Sequence, residues 1–228
     1  MKNSEFYVVA TPIGNLGDIT YRAVEILKEV DIILSEDTRV TKHLLNTYGI
    51  ITQLKSYHAN SSEHKENEII NLLNEGKKIA LVSDAGTPTI SDPGVKLISR
   101  IRSESPETLI RSLPGPAALI AGLSITGFTG NQFTFYGFLP HKKGRNSLFQ
   151  EMKDSSRISV FYESPHRLVK TLQALNQVMG SSRKMCVARE LTKIYEEHPV
   201  MTVEEMVSYY EMHPQKVKGE CVIIIDSL

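Results

Sequence analysis

The sequence has no net charge: 26 basic and 26 acidic side chains cancel across 228 residues. With no global field to draw it onto a polyanion, any contact with nucleic acid must rest on local basic clusters. Cysteine is scarce as well. Cys186 and Cys221 lack the spacing of metal ligands and lie in strand-like runs, so they read as buried thiols of a reducing cytoplasm. No apolar run approaches the roughly 20 residues that cross a bilayer, and the first five residues lead straight into a strand, so neither a signal peptide nor a membrane anchor is expected. Internal repeats and low-complexity segments are absent too. So is the Gly-x-x-x-x-Gly-Lys spacing of a triphosphate cradle, and Thr11-Pro12-Ile13-Gly14-Asn15-Leu16-Gly17, after the first strand, matches the dinucleotide glycine fingerprint poorly.

What is present is a hydrophobic fraction of 41 %, enough for a substantial core in one large domain or two smaller ones. The first half alternates strand and helix. Strands are expected at 6–10, 31–34, 78–82 and 108–113. Helices are expected at 20–30, where Ala23, Val24, Ile26, Leu27 and Val30 share a face, at 41–48, at 63–74 with Ile69, Ile70, Leu72 and Leu73 inward, and at 95–102. Such a βα series implies a mainly parallel sheet. At 127–132 the composition turns to Gly, Thr and Asn, where a second domain is expected to begin, with strands at 133–138, 158–163, 185–190 and 220–226 and helices at 145–153, 165–179 and 203–212.

The most informative stretch runs from Leu81 through Ser83-Asp84-Ala85-Gly86-Thr87-Pro88 to Ser91-Asp92-Pro93-Gly94, where an apolar strand stops in a loop of small, turn-forming and acidic residues. Ligands of open α/β sheets sit outside the carboxyl ends of strands, and a loop of small residues lets a ligand approach the backbone. A nucleotide-like ligand without a triphosphate fits this loop better than a phosphate does. Taken alone, this loop and 11–17 also read as plain strand-to-helix connections.

Five segments coincide with one family: Thr11-Pro12-Ile13-Gly14-Asn15-Leu16, Ser35-Glu36-Asp37-Thr38-Arg39, residues 83–94, Phe161-Tyr162-Glu163-Ser164-Pro165-His166-Arg167 and Ala188-Arg189-Glu190-Leu191-Thr192-Lys193. In order and spacing they resemble the ribosomal small-subunit RNA methyltransferase I family, a branch of the tetrapyrrole methylase superfamily. The resemblance implies two α/β domains, 1–115 with a mainly parallel sheet and 116–228 with a mixed sheet, and S-adenosylmethionine in the cleft between them. It also implies a homodimer, no metal, and 2'-O-methylation of a cytidine in the decoding region of 16S rRNA on the small ribosomal subunit. Carried over by position, Pro12 and Asp84, Ala85, Gly86, Thr87 and Pro88 resemble the N-domain wall of the cofactor site. Pro116, Ala117 and Ala118 resemble the segment whose backbone holds the cofactor, and Tyr162, Glu163 and Ala188 the C-domain wall. Two departures stand out: residues 194–202 look shorter than the glycine-containing turn of relatives, and the chain stops at Leu228 without the C-terminal module many relatives carry.

Methyl transfer to a ribose hydroxyl needs alignment for in-line attack and an acceptor for its proton. Glu36 and Asp37 are the leading acceptors, with Glu163, His166 and Glu190 behind them, although Asp37 and Arg39 also read as a structural ion pair. Arg39, Lys42, Lys142, Lys143, Arg145, Arg167 and Lys193 are the candidate phosphate contacts, and Tyr57 or Tyr162 a candidate stacking surface for an exposed base. The stretch His141-Lys142-Lys143-Gly144-Arg145 also reads as an ordinary solvated turn. Two other functions remain open on sequence: a methyltransferase of the same superfamily acting on a corrin or porphyrin precursor or a diphthamide precursor, and a non-catalytic ribosome-assembly factor.

Overall fold

The computed structural model describes residues 4–180 and 182–228. The chain divides into two compact units, Met1–Ala117 and Ala118–Leu228. In the first, β1 (Glu5–Val9), α1 (Tyr21–Glu29), β2 (Ile32–Ser35), α2 (Thr38–Thr47), β3 (Gln53–Ser56), α3 (Glu63–Asn74), β4 (Lys78–Leu81), α4 (Val95–Glu104) and β5 (Leu109–Leu113) follow one another. The strands form one parallel sheet in the order β3-β2-β4-β1-β5. Alternation along each strand builds two cores. Phe6, Val8, Leu34, Ile79 and Leu81 meet Ile69, Ile70 and Leu73 of α3 and Leu97 and Ile101 of α4 on one face. Tyr7, Val9, Ile33, Ala80 and Val82 meet Ala23 and Leu27 of α1 and Leu45 of α2 on the other. A strand buried on both faces must be apolar throughout, which is why β1, β2 and β4 read as continuous hydrophobic runs. The side chain of Thr20 accepts from the N–H of Ala23 and starts α1.

This arrangement fixes where loops leave the sheet. The chain leaves β1 and β2 toward the α1/α2 face, whereas from β4, which lies between them, it leaves toward the α4 face. Neighbouring strands whose connections part to opposite faces make a topological switch point, with a crevice at their carboxyl ends.

The second unit runs α5 (Ala118–Ser124), β6 (Phe133–Phe138), α6 (Arg145–Asp154), β7 (Ile158–Glu163), α7 (Pro165–Met179), β8 (Lys184–Arg189), β9 (Val200–Thr202), α8 (Val203–Met212) and β10 (Cys221–Ile225). Its sheet, β6-β7-β10-β8-β9, is mixed: β6 and β7 are parallel and the other pairs antiparallel. Phe161, Met185, Val187, Ile223 and Ile225 pack against α6, α7 and α8 through Phe149, Leu168, Leu172, Leu175, Met206 and Tyr210. On the opposite face α5 comes close enough that a Cβ on Gly122 would lie 3.2 Å from Ile224 and 3.5 Å from Ala188. The composition shift at 127–132 is therefore not the start of this unit. It is the connection between α5 and β6, and α5 already packs on β7 and β10.

Cys186 and Cys221 are buried and unpaired, as their strand context suggests, and burial pushes both thiols up to about 12. Among the described residues no helix is long and apolar enough to cross a membrane.

Candidate active site

Because the first sheet is wholly parallel, the loops after β1, β2, β4 and β5 open at one edge, and each sequence-marked segment of the first unit lies there. Thr11 and Gly86 exchange backbone hydrogen bonds at 2.9 and 3.0 Å, stitching the β1 loop to the β4 loop. Gly86 needs its positive φ of 83° for this bridge. The Thr11 hydroxyl donates to the Ser83 carbonyl at 3.1 Å, and the Thr87 hydroxyl donates to the Pro116 carbonyl at 3.0 Å, which ties in the segment after β5. Gly115 presses on β1 so closely that a Cβ there would stand 2.8 Å from that of Ala10. On the other side the Asp84 carboxylate accepts from the backbone N–H of Asp37 at 3.0 Å, joining the β4 loop to the β2 loop. Gly86 and Pro88 are buried in this weave, Pro12 and Thr87 are half-buried, and Asp84 and Ala85 are left exposed on its crest.

Four titratable groups gather at the ends of β2, β3 and β4. Tyr57 continues the pairing of β3 with β2, its N–H donating to the Ser35 carbonyl at 2.7 Å, so His58 follows beside Glu36. Burial and then the Asp84 charge raise the Glu36 carboxyl above its ordinary value, with His58 opposing. Burial, then the charges of Glu36 and Asp84, push Asp92 up to about 6 against a hydrogen bond from Ser83. Asp37 behaves oppositely. Its carboxylate accepts from the Arg39 side chain at 2.7 and 3.1 Å and caps α2 through the Arg39 N–H, which holds it down at about 2. A carboxylate held that low binds a proton poorly at neutral pH, and in this structure Asp37 serves as a helix cap and an ion-pair partner. Asp92, read from sequence only as an acidic residue of the β4 loop, was not among the candidate proton acceptors. Sequence shows its position but not the burial and neighbouring charge that set its proton affinity.

In the second unit the side chain of Glu163 is 0 % exposed and fully engaged. Arg167 reaches it through Nε at 2.6 Å and Nη2 at 3.0 Å, the Thr171 hydroxyl at 2.6 Å, the Ser164 N–H at 2.8 Å and Arg145 at 3.1 Å. Burial opposes ionisation here, yet Arg167, Thr171 and Ser164 outweigh it and the carboxyl is held below its ordinary value. Arg145 and Arg167, only 14 % and 18 % exposed, form an internal triad with Glu163, and Arg167 also donates to the Leu139 carbonyl at 2.9 Å. In this structure the two arginines, expected as phosphate contacts, direct their guanidinium groups to Glu163. Lys193 is bonded to Glu190 at 2.9 Å and Glu220 at 3.0 Å, which occupies both Lys193 and Glu190. Ala188 is buried under α5, and the Tyr162 hydroxyl accepts from the Leu119 N–H at 3.3 Å beside Ala118. Tyr57, 3 % exposed and donating to Glu66, is no stacking surface. Among the described residues Lys42, Lys142 and Lys143 are exposed and form no ion pair, and no group of His, Cys, Asp and Glu side chains is placed to hold a metal ion.

The fold of a doubly wound parallel unit followed by a mixed-sheet unit is shared with solved methyltransferases. The methyltransferase CobJ superposes with a TM-score of 0.71 over 98 % of this chain and 94 % of that one at 17 % identity. The cobalt precorrin-4 methyltransferase CbiF does so with 0.66 over 97 % and 94 % at 14 % identity. Residues 5–207 match the family of Tetrapyrrole (Corrin/Porphyrin) Methylases, to which the chain belongs. Its similarity is more particular than that. The ribosomal RNA small subunit methyltransferase I of Thermotoga maritima is 45 % identical over 96 % of both chains, and that of Escherichia coli O157:H7 is 42 % identical over 97 % of this chain and 77 % of its own. The chain thus falls within the ribosomal RNA small subunit methyltransferase I branch.

Proposed function

We propose that this protein is an S-adenosylmethionine-dependent methyltransferase that methylates the ribose 2'-hydroxyl of a cytidine in the decoding region of 16S rRNA, acting on the small ribosomal subunit as a cytoplasmic homodimer. The observation that carries the reading is the near full-length identity to ribosomal RNA methyltransferases, 45 % over 96 % of both chains in the Thermotoga maritima protein. The donor set of the first unit agrees with the cofactor. Glu36, Asp84 and Asp92 line its loop cluster with negative charge, which suits a sulfonium and an ammonium group and opposes a phosphate.

Pro12, Asp84, Ala85, Gly86, Thr87, Pro88, Pro116 and Ala117 of the first unit, and Ala118, Tyr162 and Ala188 of the second, are the residues proposed to hold it, largely through backbone where side chains are small or buried. When bound, S-adenosylmethionine supplies an electrophilic methyl group on sulfur. The protein's own task is to align the hydroxyl for in-line attack, which by itself provides a large share of the rate. Its second task is to receive the proton. Glu36 and Asp92 are the proposed acceptors, because burial and then neighbouring carboxylates, Asp84 for Glu36 and Glu36 with Asp84 for Asp92, raise their proton affinity.

The test is transfer of labelled methyl from S-adenosylmethionine to purified small subunits lacking ribose methylation, with the product nucleoside identified by mass spectrometry. A 2'-O-methylcytidine in the decoding region is expected. Label appearing instead on a tetrapyrrole or on a protein would reassign the substrate, and cofactor binding without transfer to any acceptor would favour the assembly-factor reading.

A further inference from the structure

At the outer edge of the second sheet, β6 carries three phenylalanines, Phe133, Phe135 and Phe138. In a regular strand Phe135 and Phe138 would point to opposite faces. The register breaks between them: Phe135 pairs with Val160 and Phe138 with Tyr162, so three steps on β6 match two on β7. Gly137, with φ of 62°, occupies this bulge. A bulge re-aims the residues beyond it, and here it turns Phe138 onto the face of Phe135. Both rings meet Tyr162 edge-on, with centroids 5.0 Å and 5.4 Å away. Phe138 nevertheless stays 63 % exposed. Four residues on, the strand runs into the exposed Lys142 and Lys143, just before the left-handed Gly144 that opens α6.

An exposed ring braced by a tyrosine, a few residues before unpaired cations, has a definite chemistry. The ring offers a π-face to a planar base and the ammonium groups offer charge to the adjoining phosphates. We infer that Phe138, with Lys142 and Lys143, forms a binding ledge for single-stranded RNA, a stacking and phosphate-contacting surface. The inference rests on the RNA-methyltransferase reading above. Phe138 takes the stacking role that the buried Tyr57 and the hydrogen-bonded Tyr162 do not fill, and the lysines take the phosphate role that Arg145 and Arg167, bound to Glu163, do not fill. Because stacking is sequence-tolerant, the ledge sets affinity and position while leaving the choice of base to other contacts.

The test uses the full chain and purified small subunits lacking ribose methylation. Phe138→Ala is expected to weaken subunit binding and raise KM by roughly 5- to 100-fold, with S-adenosylhomocysteine affinity unchanged and Phe138→Trp restoring binding. Replacing Lys142 and Lys143 by Gln is expected to flatten the dependence of log affinity on log salt by about 0.7 per lysine. Unchanged subunit affinity in Phe138→Ala, with wild-type protein still methylating rRNA, overturns the ledge and leaves the proposed function standing. Failure of the wild-type protein to bind or methylate subunits overturns both. Loss of dimer in sedimentation, with subunit affinity per dimer intact, assigns the edge to a second copy of the chain and overturns the ledge.

Discussion

Asp37 and Asp92 are the same residue type at neighbouring strand ends, and their surroundings drive them in opposite directions. Arg39 holds Asp37 at about 2, whereas burial and the charges of Glu36 and Asp84 lift Asp92 to about 6. If Asp92 receives the proton, turnover falls as pH drops through about 6, and Asp92→Asn abolishes that limb along with most of the rate. Asp37→Asn, which keeps a capping side chain, should stay near wild type. A pH–rate profile with an unchanged acid limb in Asp92→Asn would remove it from the mechanism. Stability supplies an independent check of sign. The folded value of Asp92 lies above its ordinary 3.8, so ionisation disfavours the fold. The penalty is full above about pH 6, shrinks as pH falls through the folded value and vanishes only below the ordinary 3.8, where folded and unfolded chains both hold the proton. Asp92→Asn is therefore expected to gain about 1 to 2 kcal/mol at pH 7.5, allowing for solvent screening, and almost nothing at about pH 3. For the Glu163 triad the expectation is reversed. Arg167→Ala leaves a buried carboxylate without its main partner and should cost about 3 to 5 kcal/mol in urea unfolding, against a small effect on subunit affinity beyond that loss of fold.

At the scale of elements, α4 begins at a position only glycine occupies comfortably. Gly94 has φ of 129°, and a Cβ there would stand 2.6 Å from Leu81 Cδ2 and 2.9 Å from Thr89 Cγ2. Gly94→Ala is expected to cost about 1 to 3 kcal/mol and to displace the segment bearing Asp92, so that turnover falls more than cofactor affinity does. Unchanged stability would show that the β4 loop yields freely. The helices and buried strands were legible because their cores impose a period: α3 spans 63–74 as its apolar spacing predicts, and β1, β2 and β4 read as unbroken apolar runs. β3 and β9 were not. Gln53–Ser56 is an edge strand of mostly polar residues, and Val200–Thr202 has three residues at the other sheet's edge. Short edge strands form because a neighbour offers hydrogen bonds, and no local pattern announces that.

At the scale of the whole molecule, a chain of zero net charge that grips RNA through three candidate lysines should bind small subunits with a shallow salt dependence. Lys42, Lys142 and Lys143 imply a slope of log affinity against log salt near −2 to −3, measurable by filter binding, and a slope near −6 would reveal a larger phosphate footprint. Bound S-adenosylhomocysteine at about a hundred times its dissociation constant should raise the melting temperature by several degrees. Absence of any shift would argue against the proposed cofactor.

The sequence by itself determined the alternation of strands and helices in the first unit, the loops at which a ligand is handled, and the branch of the family. These follow from hydrophobic period, turn chemistry and motif order, which are local properties of the chain. Tertiary structure alone decided which charged groups are free. Glu163 gathers Arg145 from α6 and Arg167 and Thr171 from α7, Asp84 reaches across the sheet edge to Asp37, and Asp92 acquires its proton affinity from burial and then from the charge of Glu36. A carboxylate's partner and its distance from water are set by chain segments remote in sequence, so its chemistry becomes definite only when the fold brings those segments together.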